Sequence, residues 1–166
     1  MEHSPLQFFT ASILNWRALL FNNEYKKIIT DSLRYLVLND RVRVYGFVIM
    51  PNHIHLIWQM KGEHLLRETQ RDFLKFTSQQ IQKDLRTSNP NLKDRRYQIW
   101  QRRPLSITLN SRLMIEQKLD YIHNNPVQGK WRLSSSPIDY RYSSALYYEN
   151  GETEFDFLSH YMSYFE

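Results

Sequence analysis

The chain has no cysteine. Disulfides and thiolate metal sites are therefore excluded, which suits a reducing cytoplasm. No apolar run approaches the roughly 20 residues of a membrane-spanning helix. No basic segment followed by an apolar one opens the sequence, so no secretory signal is expected. Internal repeats, low-complexity tracts and a clear interdomain linker are missing too. What is there suits a soluble globular protein: 166 residues, 42% hydrophobic and 23% charged, are enough for a substantial core and exclude wholesale disorder. The expectation is a single domain over residues 1–166, with 149–166 as an acidic, aromatic tail.

Charge is unevenly spread. Lys83 to Arg103 holds seven basic and two acidic residues, a local +5, with Tyr97 and Trp100 interleaved. Glu149 to Glu166 holds five acids and no Lys or Arg. A basic segment with aromatics is a candidate polyanion surface; its plain alternative is a solvated loop. The acidic tail either covers that basic surface or packs as an ordinary terminal element, and packing is favoured.

Hydrophobic periodicity predicts the order β-α-β-β-α-β-α. Gln7 to Leu14 reads as a strand. Asn22 to Leu38 has helical spacing (Tyr25, Ile28, Ile29, Leu33, Leu36, Val37). Arg41 to Val48 alternates as a second strand. Pro51-Asn52 is a turn into a third strand, His53 to Met60. Glu63 to Leu85 is a second helix, and Thr87 to Arg96 a polar loop. Gln98 to Thr108 is a fourth strand bent near Pro104. A third helix, capped by Asn110 or Ser111, ends near His123, because Asn125 precedes a proline and is pushed out of the helical region. The remainder is irregular, with a weak final helix. This order closes naturally as an α+β, ferredoxin-like split βαβ: an antiparallel sheet of four or five strands with helices on one face, and a C-terminal helix that carries Tyr121.

Two stretches carry chemistry. In His53-Ile54-His55 the strand period directs both imidazoles to one side, while Ile54, Leu56 and Trp58 face a core. A rigid strand thus presents half a metal site, although an isolated His-x-His is more often ordinary surface. In Tyr121-Ile122-His123-Asn124-Asn125-Pro126, Asn125 follows Tyr121 by four residues, on about the same side of a helix. A phenol, with a pKa near 10, attacks phosphorus as phenolate, and a cation on a non-bridging oxygen relieves the charge repulsion of a phosphodiester. His53, His55 and Asn125 are the candidate ligands, with open positions left for substrate; Tyr121 is the candidate nucleophile. Asn125 also suits a plain helix C-terminus. Arg95, Arg96, Arg102, Arg103 and Lys118 are candidate contacts to the phosphates of a polyanion; for Arg102 and Arg103 the plain alternative is a solvated strand edge. Trp100 either stacks an unpaired base or belongs to the core. His123 is structural or faces DNA, and His3, His64 and His160 are surface residues. Ser143 and Ser144 have no base beside them in sequence, so a serine nucleophile is unsupported.

Four blocks resemble the single-tyrosine transposases of the HUH superfamily, IS200-like, and among them the REP-associated branch. They are Tyr45-Gly46-Phe47-Val48-Ile49-Met50-Pro51-Asn52-His53-Ile54-His55, Trp100-Gln101-Arg102, Tyr121-Ile122-His123-Asn124-Asn125-Pro126-Val127 and Tyr140-Arg141-Tyr142-Ser143-Ser144. Any one block is common; the first and third together are specific. The resemblance implies single-stranded DNA hairpins as partners, Mg²⁺ or Mn²⁺ as cofactor, a 5′-phosphotyrosine link, a free 3′-hydroxyl, and rejoining by reversal. It maps the metal pair onto His53 and His55 and the nucleophile onto Tyr121. The third ligand, often Gln in relatives, maps onto Asn125, one methylene shorter. It also implies a nucleoid-associated place in a bacterial cytoplasm, and it allows a homodimer in which the tyrosine helix serves the partner's histidines. Residues 128–132 follow the family pattern loosely, and Gly151 to Glu166 match nothing in it. Two other readings compete: a non-catalytic module that binds nucleic-acid hairpins, and a metal-independent phosphodiesterase using His53 and His55 as acid and base.

Overall fold

The computed structural model describes residues 3–89 and 98–166. Four strands, β1 (Leu6–Ser12), β2 (Val42–Met50), β3 (His53–Met60) and β4 (Leu105–Leu109), form one antiparallel sheet in the order β2-β3-β1-β4. Helices α1 (Asn23–Leu38) and α2 (Leu66–Ser88) connect β1 to β2 and β3 to β4. This is the split βαβ closure. Pro51 and Asn52 form the two-residue turn between β2 and β3, and β3 has the bounds its alternation predicts.

The sheet has apolar residues on both faces, because strand side chains alternate. Phe9, Ala11, Phe47, Ile49, Ile54, Leu56 and Trp58 pack with α1 and α2 through Ile29, Leu33, Phe73 and Ile81. Phe8, Tyr45, Val48, Met50 and Ile57 face the other way, against Ile115, Leu119 and Ile122 of α3 (Arg112–Asn124). The connecting helices share one face, then, and the helix carrying Tyr121 covers the opposite one. Ser111 caps α3 by accepting from the Met114 N–H at 3.2 Å.

The seat of α3 is built by a bulge. Register shifts between Val44 and Gly46, so Tyr45 is the extra residue, and Tyr45 and Gly46 both turn toward α3. A Cβ at Gly46 would stand 2.7 Å from Leu119 Cδ2 and 3.2 Å from Ile122 Cδ1. Glycine is needed here for close approach rather than for an unusual backbone angle.

Three sequence expectations need correction. The fourth strand is only Leu105–Leu109, because Arg103 takes φ +61° and breaks the ladder; Trp100 keeps an isolated bridge to Ile13. Asn125 is helical (φ −55°, ψ −44°) although Pro126 follows. Pro126 sits in the first turn of a 3₁₀ segment, Asn125–Val127, where its missing N–H is harmless. The C-terminal stretch is more ordered than the irregular run expected. It holds a short helix α4 (Ala145–Asn150) and ends in a 3₁₀ turn, Tyr161–Phe165. The tail packs: Phe157 is buried in the α1/α2 core, and the Ser159 N–H donates to Val44 O at 2.9 Å, closing the free edge of β2.

Gly46→Ala should overpack this seat, at a cost of about 1–3 kcal/mol. For a chain of this length that lowers the thermal midpoint by roughly 3–10 °C. An unchanged midpoint in thermal denaturation would remove Gly46 from this role.

Candidate functional site

The strand period and the helix period meet over the face that α3 covers. His53 and His55 project from β3, with ring centroids 4.8 Å apart. Tyr121 projects from α3 with its ring 5.4 Å from that of His55. One helical turn later, Asn125 Oδ1 lies 3.0 Å from His53 Nε2. All four residues named from the sequence are therefore together on one chain. His55 is 5% exposed, whereas Tyr121 is 50% exposed and open to a substrate. Phe8 stacks on His55 at 5.2 Å and meets Tyr121 edge-on at 6.2 Å. The Lys118 ammonium lies 4.8 Å above Phe8 and 5.5 Å from the Tyr121 ring centroid.

Each imidazole is oriented through its other nitrogen. Thr10 Oγ1 is 2.8 Å from His55 Nδ1, and Asn52 Oδ1 is 2.7 Å from His53 Nδ1. Thr10 and Asn52 escaped the sequence reading. Thr10 had no signal at all, since only strand pairing sets it opposite His55. Asn52 was visible only as a turn residue.

Burial lowers the pKa of both rings. His55 is pushed down to about 3, first by desolvation and then by His53 and Lys118. His53 is lowered by desolvation, which a hydrogen bond to Asn125 opposes. Both are neutral near pH 7, and a neutral imidazole has one N–H and one lone pair. This creates a conflict at His53. Its two nitrogens each face an amide oxygen, so one of those contacts sets lone pair against lone pair. Either one of the two amides, Asn52 or Asn125, turns over, or a cation stands between Nε2 and Oδ1. The spacing suits the cation: two ligands at right angles, each about 2.0–2.1 Å from Mg²⁺, stand about 3.0 Å apart. A second observation agrees, because His55 Nε2 is buried with no hydrogen-bond partner among the described residues. Two imidazoles and an amide oxygen thus fit a divalent cation. Among the described residues no three His, Cys, Asp or Glu side chains gather as a metal group, so a cation here would need the Asn125 amide oxygen.

The other candidates differ in their placement. Arg95 and Arg96 lie outside the described residues. Arg102 and Arg103 are exposed on the segment before β4. Trp100 is a correction: it is 5% exposed, and its indole N–H donates to Thr77 Oγ1 at 2.9 Å, so it is a core residue with no face for a base. His123 is structural, its Nε2 2.7 Å from Ser144 Oγ, and burial pushes its pKa down to about 4.

The pH dependence follows from these rings. In the metal-free protein, His55 and His123 stay neutral below pH 6.5, their ordinary pKa, while the unfolded chain protonates them. The unfolded state then binds more protons, and stability present above pH 6.5 is lost as pH falls toward 4. Each ring contributes at most about 1.4 kcal/mol per pH unit in that window. Urea midpoints should fall steeply between about pH 6.5 and 4.5; flat midpoints would contradict the burial of both rings.

Comparison with known proteins gives a family and a fold. The family model described as "Transposase IS200 like" matches residues 6–125, well over half of the chain. A solved REP-associated tyrosine transposase bound to a REP hairpin superposes with a TM-score of 0.68 at 21% identity, covering 95% of this chain and 87% of that one. A candidate transposase from Deinococcus radiodurans R1 gives a TM-score of 0.51 at 16% identity, covering 75% of this chain and 92% of that one. No curated protein sequence matches. The two solved structures share the fold, while the family model spans the strand bearing His53 and His55 and the helix bearing Tyr121: the chain belongs to the IS200-like transposase family.

Proposed function

We propose that this transposase-family protein cuts and rejoins single-stranded DNA at hairpin-forming sequences, with Tyr121 as nucleophile and with Mg²⁺ or Mn²⁺ held by His53, His55 and Asn125. One observation carries the reading: a half-exposed tyrosine stands 5.4 Å, ring to ring, from a histidine whose neighbours His53 and Asn125 are spaced as cation ligands. Hairpin DNA as partner draws support from the similar structure, which is described as bound to a REP hairpin. One chain supplies the whole set, so the mechanism needs no second copy. A DNA substrate also accords with a nucleoid-associated, cytoplasmic location.

The cation, when bound, acts as a Lewis acid on a non-bridging oxygen and orients the phosphate. The chain's own residues do the rest. Phe8 and α3 hold the Tyr121 ring beside the histidines. Tyr121 is exposed enough for its proton to leave to water. Its Oη attacks phosphorus, the bond from phosphorus to the 3′-oxygen breaks, and that oxygen leaves as a 3′-hydroxyl after taking a proton from solvent. The 5′-phosphate remains esterified to Tyr121, and a 3′-hydroxyl attacking that ester reverses the step. Lys118, above Phe8 and Tyr121, brings positive charge to the entering phosphate. Burial keeps both imidazoles neutral near pH 7. That form binds a cation but cannot serve as a general acid, which weighs against metal-independent hydrolysis.

With a hairpin-bearing single strand and Mn²⁺, the protein should form a covalent adduct that survives a denaturing gel. Tyr121→Phe should abolish it, and chelator should stop cleavage while sparing much of the binding. An adduct persisting in Tyr121→Phe sinks the nucleophile assignment. Asn52→Ala should leave the fold intact and weaken Mn²⁺ binding about 10–100-fold, because it releases the ring that orients Nε2. Unchanged affinity by calorimetry would dissociate His53 from the metal.

A further inference from the structure

The geometry points to a nucleotide-binding groove along the β1–β4 side of the site, in which Trp16 stacks an unpaired base of single-stranded DNA and Arg102 and Arg103 take the adjoining phosphates. This rests on the DNA-processing reading above and adds to it the place where the strand outside the hairpin is held.

The groove encloses about 120 Å³, and Thr10, Ser12, Trp16, Arg102, Arg103 and Leu105 are among its walls. Its floor belongs to the functional site. Thr10 and Ser12 are the β1 partners of His55 and His53, and the Thr10 hydroxyl holds the His55 ring. Neighbouring strands are about 4.8 Å apart, so a strand lying in the groove passes directly beside the candidate metal ligands.

Trp16 is built to face outward. It is 59% exposed, and among the described residues no aromatic ring packs against it. It also occupies a costly backbone conformation. Asn15, Trp16 and Arg103 have φ of 59°, 57° and 61°, the left-handed region in which an L side chain crowds its own backbone. Such strain persists only where the surroundings impose it, and here they do. The Trp16 N–H donates to Ile13 O at 2.9 Å, the Leu14 N–H to Ile99 O at 2.8 Å, and Arg17 Nε to Leu14 O at 3.0 Å. A stiff loop therefore presents an indole to solvent where an ordinary core would bury it.

The charge fits the same ligand. Arg102 and Arg103 are exposed, and among the described residues no carboxylate pairs with either. Every base has a face to stack, so an aromatic flanked by cations is the sequence-tolerant way to hold a single strand. The Trp100 block pointed to this neighbourhood, but the tryptophan open to a base is Trp16, brought beside Arg102 by the bridge between Ile13 and Trp100.

The test uses fluorescence anisotropy of labelled DNA in a Tyr121→Phe background, which keeps the strand uncut. Two probes are compared, a blunt hairpin and the same hairpin with unpaired flanks. Trp16→Ala should weaken binding of the flanked probe by about tenfold or more and leave the blunt hairpin nearly unaffected. Trp16→Phe, which keeps a stacking face, should restore most of the loss. An abasic nucleotide walked along the flanks should weaken the Trp16 protein at one position and be silent in Trp16→Ala. Arg103→Gln should lower the salt dependence of flanked-probe binding by about one phosphate contact. Equal affinity of the Trp16 and Trp16→Ala proteins for the flanked probe overturns the groove, as does an equal loss on both probes. If the protein with Tyr121 cuts hairpin DNA while Trp16→Ala binds normally, the groove alone falls. If neither protein binds either probe, the DNA reading falls with it.

Discussion

Helix α3 approaches the sheet closely where β2 gains a residue at Tyr45 and lacks a side chain at Gly46. Leu119 and Ile122 fill the space a Cβ would take. Tyr121 lies between those two residues in sequence and points elsewhere, so the packing of its neighbours sets its position. Asn125 follows on the same side because the helical backbone continues up to Pro126. Tyr121 and Asn125 are thus aimed at β3 by an apolar contact neither of them makes.

Burial shapes the other half of the site. His55 lies under Phe8 and beside Tyr121 with its Nε2 enclosed and, among the described residues, unpartnered, an arrangement costly to leave without a ligand. The same burial keeps the imidazoles in the neutral form that binds cations. Thr10 and Asn52 decide which nitrogen is left over. Desolvation and the contacts at Nδ1 together hold two ordinary histidines neutral and in fixed orientations.

The C-terminal segment braces this arrangement. Ser144 Oγ accepts from the Phe47 N–H at 3.0 Å and sits 2.7 Å from His123 Nε2, tying α3 to β2 through a third element. Tyr161 donates to Glu116 at 2.6 Å, near the start of the same helix. The acidic tail lies against the edge of β2 and against α3.

Local pattern alone was enough for the alternation of β3, the Pro51-Asn52 turn, the shared side of His53 and His55 and a choice of two caps for α3, because periodicity and turn chemistry act within a few residues; Tyr121 and Asn125 were singled out by the sequence block that carries the family resemblance. Tertiary structure decided what those periods cannot encode. It put α3 on the face opposite α1 and α2, kept Asn125 helical before a proline, sent Trp100 into the core and Trp16 out, and set Thr10 opposite His55. Each of these depends on which distant backbone lies alongside, and that is determined by long-range packing and strand register.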